Sequence, residues 1–376
     1  MRISIVIDSV PSYRRGFYRH LLDNPDVELT VYCQSHVRGF NVYLIHKELG
    51  DNFIEVPFVS ASDHKAAWQR LPVRHLYRNF DVCFFLGNPR IVSSVVWGTL
   101  LRILGKKVVI WGQAHTAGSN PVTEKIRLAW WRLFSNFLVY TDAEADQLRK
   151  RGFARKRIVG MNNGLDQDQI DAISSEWTGP RLQEWRADRR LDGKTVLLSC
   201  ARLVEKNRFD IILEALPDLA RQFPDLVWCV IGTGTEHEKL VARAGALGVS
   251  DRIVWVGELY EEEALAPWFL SSKLLIHPGA IGLTLMHAYG YGLPVITHDN
   301  MVFHMPEIAA FEDSVNGAVF RENDAASLGG VISGLLEDGQ KRDALSVAAL
   351  RTVREDYNTR VMAERFLEIA KTAYKS

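Results

Sequence analysis

Two cations follow an apolar run in the second half of the chain, at the point where a buried strand would end. Arg202 and Lys206 lie in ARLVEKN, directly after TVLLSC. In an open α/β sheet the carboxyl ends of the strands face the ligand crevice. Fixed arginine and lysine side chains there can bind a diphosphate. The spacing therefore predicts an anion site, although a solvated loop in which Glu205 pairs with Lys206 would leave the same pattern.

A glycine-bearing loop leads into an apolar helix in PGAIGLTLMHAYGYGLPVITHDN, residues 278–300. Gly279 and Gly282 allow close approach of another backbone, and Leu283 and Thr284 open the helix. The first N–H groups of a helix have no partner within it and attract anions. Together with the two cations, this helix start predicts the second half of a diphosphate site. Glycines that serve packing alone are the alternative.

Short apolar runs alternate with amphipathic segments along both halves of the chain. Runs without polar alternation are typical of parallel strands that are buried on both faces. The predicted strands are ISIVID, LTVYC, DVCFFLG, KVVIWG and FLVYT, then TVLLSCA, LVWCVIG, RIVWVG, KLLIHPG and PVITHD. The predicted helices are 14–22, 92–104, 124–134, 143–151, 209–222, 236–247, 261–270 and 283–291. This alternation predicts an α/β fold with two doubly wound, Rossmann-like domains that face a central cleft.

Composition narrows the class of protein. The 376 residues carry 45 Lys+Arg and 45 Asp+Glu, so no global field favours nucleic acid, and none is expected as a partner. The N-terminal MRISIVID is typical of a strand and not of a signal peptide, and no apolar run reaches the length of a membrane span. A cytoplasmic protein is expected. The cysteines lie in apolar runs with neither disulfide nor metal spacing: Cys33, Cys83, Cys200 and Cys229.

Five pieces of the second half, in this order, resemble the nucleotide-sugar domain of family 4 glycosyltransferases, which have the GT-B fold. They are ARLVEKN, VIGTGTEHEKL, RIVWVGEL, IHPGAIGLTLMHAYGYGLPVIT and MPEIAAFEDSVNGAVF, over about residues 195–325. The first half is similar through WGQAH, VYTDAEADQLRKRG and NNGLD. The resemblance implies an acceptor-binding domain over 1–170, onto which a C-terminal helix at about 358–376 packs back, and a donor-binding domain over 171–357.

The resemblance also implies an activity: transfer of a sugar from a nucleotide-diphosphate-sugar to a glycan or lipid-linked acceptor in bacterial surface polysaccharide synthesis. The reaction would be retaining and would need neither metal nor cofactor, since the nucleotide sugar is a co-substrate. Arg202 and Lys206 would hold the donor diphosphate. The other donor contacts would be Gly232, Val256 and Gly257 near the nucleotide, and Gly282, Leu283 and Thr284 near the sugar and phosphate.

This sequence departs from the family where the family's motif has two glutamates. Gly279 and His287 stand at those positions. His287 can still hydrogen-bond a ribose hydroxyl, since imidazole both donates and accepts. Gly279 has no side chain to meet the transferred sugar, so the identity of that sugar stays open. His277 and His298, at predicted strand ends, are candidates to compensate.

Two more residues are candidates for contact with the transferred sugar. His115 ends KVVIWGQAH in the first half, and Glu307 lies in MPEI. The alternatives are a structural histidine and an acid favoured by a helix N-terminus. No histidine here shows metal-ligand spacing. Asp166-Gln-Asp168 matches the metal-binding D-x-D of a different glycosyltransferase fold, but it lies in the connector and is interpreted as a chance match.

The first half offers two basic stretches. Arg14, Arg15 and Gly16 follow the first strand, where the family often has a glycine pair near the donor phosphates. The helix 124–134, with KIRLAWWRLF, mixes basic residues with two tryptophans, which suits an anionic membrane surface. We expect peripheral contact with the inner face of the membrane, unless the helix buries its tryptophans in the core.

Two rival functions fit the same residues. One is a nucleotide-sugar-binding protein that has lost the glutamates and no longer catalyses transfer. The other is a GT-B enzyme of another kind, such as a sugar-nucleotide epimerase. A transfer assay would separate the first from an enzyme, and incubation of donors without an acceptor would reveal the second.

Overall fold

The computed structural model describes residues 1–35, 45–61, 66–113 and 121–376. The chain divides into two compact units. Unit 1 comprises Met1–Asp166 together with Asn358–Ser376, and unit 2 comprises Gln167–Tyr357. His115 lies outside the described residues.

Unit 1 is built on a parallel seven-stranded sheet of order β3-β2-β1-β6-β7-β8-β9. Its strands are β1 (Arg2–Val6), β2 (Glu28–Cys33), β3 (Phe53–Glu55), β6 (Val82–Leu86), β7 (Lys107–Trp111), β8 (Asn136–Val139) and β9 (Arg157–Gly160). A separate antiparallel pair is formed by β4 (Phe58–Ala61) and β5 (Ala66–Gln69). The helices are α1 (Arg15–Leu22), α2 (Val73–Asn79), α3 (Val92–Ile103), α4 (Pro121–Trp131) and α5 (Asp142–Leu148).

Unit 2 is built on a parallel six-stranded sheet of order β12-β11-β10-β13-β14-β15. Its strands are β10 (Thr195–Cys200), β11 (Leu226–Ile231), β12 (Ile253–Gly257), β13 (Leu274–Ile276), β14 (Val295–His298) and β15 (Gly317–Phe320). Its helices are α6 (Gln167–Glu176), α7 (Gly179–Asp188), α8 (Asp210–Gln222), α9 (His237–Ala246), α10 (Glu262–Ser271), α11 (Leu283–Gly290), α12 (Ala325–Glu337) and α13 (Gly339–Glu355). The last helix, α14 (Thr359–Tyr374), belongs to unit 1.

The main sheets of both units have buried apolar side chains on both faces, which is why the strands read as continuous apolar runs. In unit 1 one face packs against α1 and α14, where Phe84 stacks on Phe366 with ring centroids 4.0 Å apart. The other face packs against helices that include α4, where Trp131 stacks on Phe137.

Strand order reverses once in each main sheet, between β1 and β6 and between β10 and β13. Loops at the carboxyl ends of strands that flank such a reversal diverge to opposite faces, and this leaves a crevice between them. In unit 2 the two loops concerned are 201–207 and 277–282, which contain the sequence-predicted anion site.

The fold class expected from the sequence is confirmed, and each of the ten predicted strands is present. Five strands were not predicted: β3, β4, β5, β9 and β15. β9 reads RIVG and β15 reads GAVF, so each has four residues with a glycine at one end. Both occupy sheet edges, and so short a run carries little periodicity. Within the described residues, no helix is long and apolar enough to cross a membrane.

Candidate functional site

The loop after β10 presents its cations to solvent while its backbone is fixed from behind. Arg202 and Lys206 are exposed, whereas Leu203 between them is buried. Leu203 N–H donates to Thr233 O at 2.8 Å, and Asn207 Nδ2 donates to Arg202 O at 2.8 Å. Neither cation has an ion-pair partner among the described residues, so the alternative in which Glu205 neutralises Lys206 is not observed. The loop therefore carries two positive charges that no ion pair neutralises among the described residues.

The loop after β13 packs directly on that first loop. A Cβ at Gly279 would lie 2.2 Å from Lys206 O and 2.5 Å from Asn207 Cα, so only glycine fits there without a shift of backbone. Thr284 Oγ1 donates to Cys200 O at 3.0 Å and fixes the start of α11 against the end of β10. The sequence-predicted cations and the sequence-predicted helix start are thus brought together at one edge of the sheet.

The N-terminus of α11 carries a partial positive charge, and the helix has no acidic residue of its own in its first turn. Gly282 is the residue before the helix and has no side chain that could cap it. Backbone N–H groups and the helix dipole at such a start attract anions. With Arg202 and Lys206 on the adjoining loop, the arrangement can hold a diphosphate.

Glu307 lies beside this helix start. It is buried, and its Oε2 lies 3.5 Å from the position that a Cβ on Gly282 would take. The short turn Pro306–Ala310 holds it there. This places a carboxylate next to the predicted sugar and phosphate position, although the family's own glutamate position, Gly279, is closed.

Two histidines fix the backbone of the 277–282 loop from inside the unit, and a third stacks on one of them. His304 accepts a hydrogen bond from Ile281 N–H at Nδ1 (3.2 Å) and donates from Nε2 to His298 O (3.0 Å). His277 Nδ1 lies 3.3 Å from Gly279 O, to which it can donate. The rings of His298 and His304 stack at 4.0 Å. His277 and His298 are buried, and His298 Nδ1 accepts a hydrogen bond from Asn300 N–H at 3.2 Å. Their role near the transferred sugar stays a prediction.

Burial keeps these imidazoles neutral. It lowers the pKa of His277 and of His304 to about 4, and it lowers the pKa of His298 as well. A neutral His304 is required by its contacts, because only a deprotonated Nδ1 can accept the Ile281 N–H. No group of three or more histidine, cysteine or acidic side chains in the described residues is arranged to hold a metal ion.

His287 is hydrogen-bonded to Glu262 of α10. Its Nε2 lies 2.8 Å from Glu262 Oε1, and Tyr291 donates its hydroxyl to the same oxygen. Burial alone would raise the pKa of Glu262, but the hydrogen bonds and charge of its partners lower it. His287 therefore has one nitrogen committed to a carboxylate, and its predicted contact with a ribose stays a prediction.

The nucleotide end of the predicted site is formed by the loops after β11 and β12. Gly232 has φ 134°, and a Cβ there would lie 2.0 Å from Ala201 O, so the loop after β11 also packs on the loop after β10. Gly232 N–H donates to Gly257 O at 2.7 Å, and Val256 precedes Gly257 at the end of β12. These three predicted residues share the edge that carries Arg202.

Sequence reasoning missed two residues at this edge. Glu258 and Tyr260 are exposed directly after β12, and the Tyr260 hydroxyl donates to Glu258 Oε2 at 2.9 Å. Hydrogen bonds from Thr233 and from Tyr260 lower the pKa of Glu258. An acid and an aromatic residue two positions apart at a strand end are the signal that could have found them.

In unit 1 the three residues proposed for a second phosphate loop have other contacts. Arg14 is buried with its guanidinium over aromatic rings, Arg15 forms a bidentate ion pair with Glu48 at 2.7 and 2.9 Å, and a Cβ at Gly16 would lie 2.4 Å from Asp166 Oδ2. The proximity of these three residues to the donor phosphates stays a prediction.

The aromatic residues of α4 are structural. Trp131 is fully buried and donates from Nε1 to Gly87 O at 3.1 Å, and Trp130 is buried as well. Of the two alternatives for this helix, the structure shows the one in which the tryptophans are buried in the core, and peripheral contact of the helix with a membrane stays a prediction. Asp166 is paired with Arg19 at 2.9 Å and Asp168 lies in the first turn of α6.

Residues 182–352 match the family model described as glycosyl transferases group 1. The chain carries a group 1 glycosyltransferase domain of the family 4-like, GT-B kind. The phosphatidyl-myo-inositol mannosyltransferase of Mycobacterium leprae is 24% identical over 304 residues, which span 79% of this chain and 75% of that protein.

Two further likenesses are informative. The GDP-mannose-dependent alpha-(1-6)-phosphatidylinositol monomannoside mannosyltransferase of Mycolicibacterium smegmatis is 26% identical over 188 residues. These residues span 48% of this chain and 48% of that protein. Anabaena HepE, solved in complex with UDP, superposes with a TM-score of 0.73 at 13% identity and covers 99% of both chains. At that identity the superposition shows the GT-B fold alone.

Proposed function

We propose that this glycosyltransferase moves a sugar from a nucleoside-diphosphate donor to a glycan or lipid-linked acceptor. A single observation carries the proposal: the start of α11, which has no acidic residue in its first turn, lies beside exposed Arg202 and Lys206 where the strand order of unit 2 reverses, and neither cation has an ion-pair partner among the described residues. The relatives support a nucleotide sugar as the donor, since one is named as GDP-mannose-dependent and HepE was solved with UDP.

In the proposed reaction the bond between the sugar C1 and the diphosphate oxygen breaks, and the electron pair leaves with the nucleoside diphosphate. The acceptor hydroxyl oxygen forms the new bond to C1 and releases its proton. Arg202, Lys206 and the first N–H groups of α11 offset the charge that develops on the departing diphosphate, and preorganised electrostatic stabilisation of this kind lowers such barriers. These groups supply the positive charge that a metal ion supplies elsewhere, so we propose a metal-independent reaction.

The donor sugar is proposed to lie between the α11 start and Glu307. Gly279 cannot carry a carboxylate in this fold because Lys206 O occupies the space. Glu307 is the carboxylate that the structure offers nearby, and His115 of the first half stays a candidate from the sequence. We propose attack from the face that the diphosphate leaves, which retains the configuration at C1.

The acceptor is proposed to be a glycan or lipid used for a bacterial surface polysaccharide, at the inner face of the membrane. Support comes from the relatives, whose names include phosphatidylinositol-based acceptors. Unit 1 is the proposed acceptor-binding unit, because the diphosphate site lies in unit 2.

The decisive experiment substitutes the two cations. Arg202→Ala and Lys206→Ala should each lower donor turnover by about 10²–10³-fold, the loss typical of one removed charge-stabilising group. Thermal stabilisation by UDP or GDP should weaken in the same variants, while their unfolding free energy should stay close to wild type. Arg221→Ala is the matched control, since Arg221 is an exposed arginine of the same unit on α8. Full turnover in both Arg202→Ala and Lys206→Ala would contradict the assignment of the diphosphate site to these two cations.

Stereochemistry and metal independence have separate tests. Incubation with UDP-glucose or GDP-mannose and an acceptor glycan, followed by NMR of the product anomeric proton, should show the donor's configuration. Turnover should persist in excess EDTA. An inverted product or a loss of turnover restored by Mg²⁺ would contradict these two parts and leave the transfer itself standing.

A non-catalytic nucleotide-sugar-binding protein is the second candidate, because the closed position at Gly279 excludes the carboxylate that the family has there. It predicts stabilisation by UDP-glucose or GDP-mannose with neither transfer nor hydrolysis across a panel of acceptors. Arg202→Ala would then abolish the stabilisation without any turnover to lose.

A further inference from the structure

Helix α3 exposes an apolar stripe along its length. Val92, Val96, Leu100 and Ile103 are all exposed, Ile103 to 75%. Their spacing of three and four residues places them on one side of the helix. The opposite side of α3 packs on the sheet through buried residues such as Leu101. α3 is therefore apolar on both sides, which an ordinary surface helix is not.

Helix α4 repeats the feature beside it. Val122 and Ile126 are exposed, and so is Leu133 just after the helix end, while the tryptophans point to the core. Trp130 Nε1 donates to Thr99 Oγ1 of α3 at 3.1 Å, so the two helices are neighbours. We call the exposed apolar side chains of both helices, together with Leu104, the α3–α4 face.

The charges around the α3–α4 face have one sign. Exposed Arg102, Lys125 and Arg132 flank the apolar side chains. α3 contains no acidic residue, and the one acid of α4, Glu124, is largely buried and paired with Arg151. Residues 70–134 hold ten Lys/Arg and two Asp/Glu in a chain whose net charge is zero. The other of those acids, Asp81, is paired with Arg2.

We propose that the α3–α4 face docks on the surface of an anionic lipid bilayer. An exposed apolar stripe flanked by cations is the pattern of interfacial helices, which insert the apolar side chains among the headgroups while the cations bind anionic lipid. A second copy seated symmetrically on the same face would bring Arg102, Lys125 and Arg132 against their own counterparts, which like-charge repulsion disfavours.

This docking deepens the proposed function, since it assigns the acceptor to a membrane. α3 and α4 follow the carboxyl ends of β6 and β7. Val92 and Val122, at the starts of the two helices, therefore lie toward the edge of the unit 1 sheet where ligands of such folds bind. A lipid-linked acceptor would be held beside that edge without leaving the bilayer.

The test is flotation of the full chain with vesicles of pure phosphatidylcholine and with vesicles that contain phosphatidylglycerol, in the absence of any nucleotide sugar. The wild type should bind the anionic vesicles and lose binding as salt is raised. The double variant Ile103→Glu/Ile126→Glu should bind at least about tenfold more weakly. Arg102→Ala/Lys125→Ala should lose a factor of about five for each charge.

Matched controls come from unit 2. Val347→Glu changes an apolar side chain of α13 that is 70% exposed, and Arg221→Ala/Arg351→Ala removes two exposed cations. Both should bind anionic vesicles like the wild type.

Two results would overturn the proposal. One is equal binding of wild type and Ile103→Glu/Ile126→Glu, or no binding by either. The other is a concentration-dependent dimer in gel filtration that this variant abolishes, which would assign the face to a second copy. Stabilisation of Ile103→Glu/Ile126→Glu by UDP or GDP reports on the donor site separately, so a failure here and a failure of the proposed transfer are distinguishable.

Discussion

In each unit an arginine follows the strand at which the strand order reverses, but this arginine is buried in unit 1 and exposed in unit 2. In both sheets the strand order reverses beside that strand, β1 in unit 1 and β10 in unit 2. Arg14 after β1 is buried, with its guanidinium 5.3 Å from the ring centre of Trp111 and 5.8 Å from that of Tyr140. Arg202 after β10 is exposed and has no ion-pair partner among the described residues.

The difference shows that an α/β crevice does not by itself make an anion site. A cation that is covered by aromatic rings has already exchanged its hydration for cation–π contacts and stabilises the unit. A cation that stays exposed beside an uncapped helix start retains its charge for a ligand. Unit 2 has the second arrangement, so we assign the diphosphate to it.

The largest expected effect separates the two arginines. Arg202→Ala should lower kcat/KM by about 10²–10³-fold and leave the unfolding free energy within about 0.5 kcal/mol of wild type. Arg14→Met should show the reverse, a change in unfolding free energy with turnover near wild type. Steady-state kinetics and urea unfolding measure both. A loss of kcat/KM in Arg14→Met as large as that in Arg202→Ala would contradict the assignment of the diphosphate to unit 2 alone.

The next effect is the acid sensitivity of the unit 2 edge. Histidines in an unfolded chain titrate at a pKa of about 6.5, whereas burial lowers the pKa of His277 and His304 to about 4. Between these values the unfolded chain binds more protons than the folded one, so the unfolding free energy falls as pH is lowered from about 6.5 to about 4. A pKa that differs by one between the folded and unfolded chains corresponds to about 1.4 kcal/mol.

Urea unfolding across this pH window checks that loss. His304→Gln removes one titrating group and should flatten the decline between about pH 6.5 and 4, whatever its effect at neutral pH. An unchanged slope in that variant would show that His304 is not the group that resists protonation.

A smaller effect is expected at the glycine that closes the carboxylate position. Gly279→Ala places a Cβ against Lys206 O and Asn207 Cα, and such overpacking costs about 1–3 kcal/mol. Stabilisation by UDP should weaken as the loops separate. The control is Gly330→Ala on α12, where a Cβ meets nothing within 4 Å. Wild-type stability and full UDP binding in Gly279→Ala would contradict the packing of the two loops.

The smallest effect belongs to the exposed ion pair of unit 1. Arg15→Ala removes the hydrogen bonds that lower the pKa of Glu48, yet both side chains are more than a third exposed. Pairs of this kind contribute about 0–1 kcal/mol. Urea unfolding should therefore show a small loss, and turnover should not change. A large loss of turnover would instead indicate that Arg15 contacts the donor.

Part of this site is predictable because it depends on local sequence. TVLLSC is apolar at nearly every position, and the glycine, cation and helix-start patterns follow at fixed distances along the chain. The contacts of His277 are not predictable in that way. A histidine at a strand end can face a ligand or the interior. Here the ring of Phe209 and a hydrogen bond from Thr297, both distant in the chain, hold His277 in the interior.

Trp131 and Ile103 show that the sequence also did not determine which apolar side chains of a helix are buried and which are exposed. The sequence KIRLAWWRLF left membrane contact and core burial as alternatives, because the apolar side chains of such a helix can pack either against a membrane or against the core. The sheet of unit 1 covers the tryptophans and leaves Ile103 and Ile126 exposed. The exposed apolar face is thus formed by aliphatic side chains that the sequence did not single out.

Local sequence was enough to specify the alternation of buried strands and helices, the α/β architecture of both units, and the loops that carry Arg202, Lys206 and the α11 start. Those features follow from hydrophobic periodicity and backbone preferences, which act over a few residues. Three other features emerged only from the packed chain: which cations stay exposed, why position 279 must be glycine, and which face of α4 meets solvent. Each of these depends on contacts between residues far apart in the chain, where packing leaves room for one arrangement and excludes the other.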